Sequence, residues 1–101
     1  MDKNKVAKHY ELLIEDAELA FNNTVSAEGL LDKVVNDLKQ VRSSASVEEM
    51  INTELDVGHL LDIAGRRLSR ARGALDRVAE VQVVLDRIRQ AMQRQADDEQ
   101  G

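Results

Sequence analysis

Asp56-Val57-Gly58-His59 sets a carboxylate and an imidazole three residues apart. On a helix that spacing puts both groups on one face, as in bundles that aim ligands at a pair of metal ions. Such a centre takes a second acid three residues ahead of a second histidine, and His9 has Val6 in that place. Asp62 adds a carboxylate, but a solvated helix face accounts for all three residues. Glu11, Glu15, Asp16, Glu18, Asp32 and Asp37 offer further carboxylates for acid–base work. A catalytic pair among them needs a pocket that shifts a pKa, and thin helices with one Phe, one Tyr and no Trp offer little room for one. The chain has no cysteine, which excludes thiol chemistry, disulfides, iron–sulfur clusters and zinc fingers. It has no phosphate-binding loop, dinucleotide fingerprint, nucleophile elbow or zinc-protease helix. The expectation is therefore no catalytic residue, no metal, no cofactor and no small-molecule substrate.

Arg66-Arg67-Leu68-Ser69-Arg70-Ala71-Arg72 is the other concentration of chemistry, with Arg77 just beyond it. Arginines at this density on a helix can contact phosphates, and nucleic-acid binding by a basic helix starts this way. The net charge of −5 and the lack of stacking aromatics nearby point away from that partner. An acidic protein surface, or the acidic half of a second copy, is the better counter-charge.

Whatever these residues do, helices must position them. No Pro and only five Gly argue against a loop-rich β fold, and 101 residues suffice for one domain. Asn22-Asn23-Thr24-Val25-Ser26 and Ser43-Ser44-Ala45-Ser46 collect side chains that compete with helical hydrogen bonds. They divide an all-α chain into three predicted helices, about 3–22, 27–43 and 47–96. Ser26 is the expected N-cap of the second, with Glu28 at its positive end. Ser46 and Glu49 form a capping box that opens the third. Gly73 is the one candidate break in the third helix, yet the column Met50, Val57, Ala64, Ala71, Val78, Leu85, Met92 crosses it in phase.

From 47 to 63 the third helix is apolar on more than one side: Val47, Ile51 and Leu55 form one column, and Met50, Val57, Leu60, Leu61 and Ile63 cover another side. That predicts a helical head, 1–63, in which Leu55 is core and the first two helices pack beside it. From 64 onward the apolar face narrows to a heptad seam. Ala64, Ala71, Val78, Leu85 and Met92 hold one position; Arg67, Ala74, Val81 and Ile88 hold the other, with Leu68 and Leu75 beside them. Residues 64–96 read as a dimerisation stem and 97–101 as a disordered tail, the alternative being that the first helix folds back over the seam. Residues 1–60 hold 12 acids and 6 bases, net −6, and residues 63–96 hold 8 arginines and 3 acids, net +5. Head and stem are thus electrostatically complementary between copies. No apolar run approaches the ~18 residues of a membrane span, and no secretory leader opens the chain, so a cytoplasmic location is expected. The functional expectation is a non-enzymatic, homodimeric helical module that binds a partner protein as an adaptor, chaperone or inhibitor. The alternative is a nucleic-acid-associated regulator working through Arg66 to Arg77.

Overall fold

The computed structural model describes the backbone of residues 3–44 and 46–100, and the side chains of 3–43 and 46–98. It contains two helices, α1 (Lys3–Ser44) and α2 (Val47–Gln100), and no strand among the described residues. The all-α class holds, but the expected break at 22–26 does not exist. Its polar side chains bond within the helix. The Asn23 amide Nδ2 donates to the Leu19 carbonyl at 2.8 Å, and the Thr24 hydroxyl donates to the Ala20 carbonyl at 2.7 Å. Both are bonds to the carbonyl four residues back, which satisfy the side chain without displacing the helical ladder. Ser26 therefore lies mid-helix and caps nothing.

α2 does run unbroken through Gly73, and continues to Gln100, past the predicted end at 96 and into the expected tail. Gly101 lies outside the described residues. Ser46 starts the helix as its spacing to Glu49 predicts. Its hydroxyl accepts from the Glu49 N–H at 3.2 Å, and its carbonyl accepts from the Met50 N–H at 3.0 Å. The second predicted break, 43–46, is thus the hairpin tip. Ala45, in its middle, lies outside the described residues.

The helices pack antiparallel along one heptad seam each. In α1 the covered positions are Val6, His9, Leu13, Asp16, Ala20, Asn23, Ala27, Leu30, Val34, Asp37 and Val41. They step by 3 and 4 without interruption, passing straight through the polar stretch at 22–26. In α2 the matching positions run from Thr53 and Val57 to Leu85 and Ile88. Where the contact is tightest its side chains are small: Ala20 packs with Ala71 and Ala74, and Ala27 and Ala64 are buried too. Small residues let the helix backbones come close. Arg77 donates to the Asp16 carboxylate at 3.0 Å, pinning the same layer from the side. This register brings Lys3 level with about residue 89, so α2 overhangs α1 by about ten residues, ~15 Å at 1.5 Å per residue. The result is a rod of 79 × 22 × 13 Å.

Candidate functional site

The seam that heptad spacing assigned to a second copy is covered by α1 of the same chain. Ala64, Ala71 and Ala74 are buried there, and Val78, Val81, Leu85 and Ile88 are half-buried. Met92 lies on the overhang and is exposed. Because one continuous α1 is as long as the seam, it reaches what two shorter helices could not. One seam runs the length of the rod, from Val6 and Ile88 at one end to Val41 and Thr53 near the tip. The column expected inside the head is on the surface, with Val47 at 74%, Ile51 at 55% and Leu55 at 68% exposure.

The arginines separate by position on α2. Arg67 sits half-buried in the seam, Arg77 is bound to Asp16, and Arg66, Arg70 and Arg72 are exposed. Arg66 also donates to the Asp62 carbonyl at 3.5 Å. His59 and Asp56 are exposed on α2, while His9 donates from Nδ1 to the Lys5 carbonyl at 2.7 Å near the other end of the rod. Among the described residues no three His, Asp or Glu side chains cluster closely enough to hold a metal ion.

Residues that the sequence reading took as margins of the first seam form a second apolar line. Writing the covered positions of each helix as a and d, position e of α1 holds Tyr10, Ala17, Thr24, Leu31 and Leu38. The adjoining b line holds Ile14, Phe21 and Val35, interrupted by Glu28. In α2 position e holds Val47, Glu54, Leu61, Leu68, Leu75 and Gln82, with Ile51 beside them. The two lines lie on one side of the hairpin. Tyr10 and Gln82, both e residues, border a single open groove with Val6, Leu13, Ala79 and Leu85. The Asp16–Arg77 pair closes the opposite side, where d and g residues meet. The signal was present as the seven-residue step Leu61, Leu68, Leu75, which flanks a seam too well marked to draw attention to its neighbour.

This face stays uncovered. Phe21 is 68% exposed, and Tyr10, Ile14 and Leu75 are 56% exposed each. About a dozen such side chains, half exposed and each presenting ~150–200 Å² when free, sum to roughly 1,000 Å² of apolar surface. The largest patch on an ordinary monomer is about 300–600 Å². The interior is correspondingly poor, since among the described residues no large side chain is fully buried. The accessible surface is 8028 Å², against about 5,700 Å² for a compact monomer of this mass. Among the described residues no helix is long and apolar enough to cross a membrane. No family model, no curated protein and no solved structure matches the chain.

Proposed function

We propose that this chain is a non-enzymatic helical protein-interaction module whose working surface is the apolar face formed by the e lines of both helices. One observation carries the reading: among the described residues the hairpin fully buries no large side chain, its seam closing on alanines with Val34, Val57 and Asn23, and Tyr10, Ile14, Phe21, Leu61, Leu68 and Leu75 stay exposed outside it. A two-helix rod with a second apolar stripe is half of a bundle, and amphipathic helices supply the other half by laying their apolar faces into such a surface. Adaptor, chaperone and inhibitor roles all use this contact, and a cytoplasmic setting belongs to the same proposal. The test compares the wild-type chain with Phe21→Glu and Leu75→Glu as baits in its native lysate. A protein retained by the wild type and lost by both variants is the expected result. A retained set that ignores both substitutions refutes this surface.

The nucleic-acid reading keeps one observation in its favour. Arg66 and Arg70 are exposed on adjoining turns of α2, away from the apolar face, with no acid between residues 63 and 75. Binding to a labelled duplex that weakens steeply between 50 and 200 mM salt, and is lost in Arg66→Gln/Arg70→Gln, would favour it.

A further inference from the structure

We propose that the apolar face is covered by a second copy of this chain, laid face to face with both hairpin tips at the same end. In that arrangement α1 of each copy covers α2 of the other. The inference rests on the interaction-surface reading above and adds the occupant and its direction.

Area is the first argument. Roughly 1,000 Å² of exposed apolar surface per chain exceeds the ~800 Å² per partner of a standard stable interface. A face-to-face pair uses the whole patch on both copies, because a two-fold contact is self-complementary.

Shape is the second. On the b line the bulk belongs to α1, in Ile14, Phe21 and Val35, which Glu28 interrupts. The same line of α2 reads Ile51, Gly58, Gly65, Arg72 and Ala79, small except at its start and at Arg72. A Cβ built on Gly58 or Gly65 would meet nothing within 4 Å, so the α2 backbone is open to a neighbour there. Glycine inside a helix is unfavourable unless something uses the space. Large side chains of one α1 over the small positions of the other α2 interdigitate; α1 over α1 would oppose bulk with bulk.

Charge is the third, and it selects the direction. On the face itself α1 carries Glu28 and no base between residues 10 and 32, and α2 carries Arg72 and no acid between 61 and 79. The other acids and arginines at this level of the rod, among them Asp16, Arg66, Arg67, Arg70 and Arg77, lie off the face and add only the net sign of each stretch. A face-to-face two-fold contact allows two directions. With tips together, the acidic stretch of each copy lies over the arginine stretch of the other. With tips apart, the acidic stretches, which straddle the middle of α1, lie over each other. Helices packed ~8–10 Å apart stand at about one Debye length at physiological salt, so the sign of these stretches is screened in part but still felt across the contact.

The chain has no cysteine, so Ser43→Cys at the exposed tip carries one spin label per copy. Light scattering at 100 μM should report twice the 11.3 kDa chain mass. Double electron–electron resonance should place the labels within about 30 Å of each other, the width of a four-helix bundle. A separation near 60 Å, the length of ~40 helical residues, means tips apart and overturns the direction. Phe21→Glu changes an exposed side chain and should halve the mass with helical circular dichroism retained. A dimer that survives it, or a wild-type monomer, overturns the second copy. In the monomer case an apolar dye, anilinonaphthalene sulfonate, separates this proposal from the broader one. Dye bound by the wild type and lost in Phe21→Glu leaves the interaction surface standing with another occupant, while no dye binding removes both.

Discussion

Continuity of α1 through residue 26 has a direct chemical test in Ser26→Pro. In an unbroken helix, residue 26 donates its N–H to the carbonyl of Asn22, and a proline ring there would collide with that carbonyl. Loss of the bond and the collision together cost about 3 kcal/mol in a helix interior. For a domain of this size each kcal/mol lowers Tm by about 4–8 °C, so the drop should be on the order of 12–24 °C. Had Ser26 been a cap between two helices, a proline next to the break would have been nearly neutral. Val47→Pro is the matched control. Val47 is the first residue of α2 and is 74% exposed, and proline is welcome at a first helical position, where the N–H lacks a partner anyway. Thermal unfolding of both variants and the wild type, followed at 222 nm at one protein concentration, decides the matter. A Ser26→Pro chain melting within 3 °C of the Val47→Pro chain would refute the single-helix account of residues 3–44.

Ala74→Leu adds bulk at the most buried point of the seam, where Ala74 is 0% exposed; it should cost about 1–3 kcal/mol by overpacking in urea titration. Leu85→Asp puts a charge under α1 and should destabilise the hairpin by several kcal/mol. Leu55→Asp, at a site 68% exposed, should change stability by less than about 0.5 kcal/mol. The opposite order of these two variants would favour the head-and-stem division over the rod. The Asp16–Arg77 pair, with the arginine side chain 51% exposed, should show a coupling of at most about 1 kcal/mol in a double-mutant cycle with Asp16→Asn and Arg77→Gln, shrinking as salt rises. Amide exchange should be slowest from Val57 to Val78 and fastest beyond residue 90, where α2 has no partner helix in the chain.

The seam of α2 was legible because a seven-residue column of apolar side chains from Met50 to Met92 survives every intervening polar residue, including Gly73. The matching column of α1 was equally regular, yet Asn22-Asn23-Thr24-Val25-Ser26 hid it. Propensity weighs a local composition, whereas Asn23 and Thr24 here spend their polar atoms on carbonyls one turn back. Once the chain was cut there, no single helix remained long enough to cover α2, and the seam was assigned to another molecule. A periodic pattern states that a face is covered without stating by what. The same ambiguity hid the interaction surface, because Leu61, Leu68 and Leu75 sit one position from the seam and read as its margin. Telling margin from second face requires knowing which neighbour occupies the first.

The antiparallel course of α1 and α2 also sets how the rod answers a mechanical load. The start of α1 and the far part of α2 lie at one end, opposite the tip at Ser46. Tension applied between residues near Val6 and Leu85 therefore peels the helices apart one heptad layer at a time, whereas parallel helices pulled from opposite ends would shear all their layers together. The outermost layers rupture first, each carrying the full force alone, and the alanine layers around Ala20 and Ala74 follow. On release, the Ser46-capped tip keeps the two strands in register, so the rod rezips from its closed end without a search. A chain built this way yields at low force and recovers its length quickly, like a clasp.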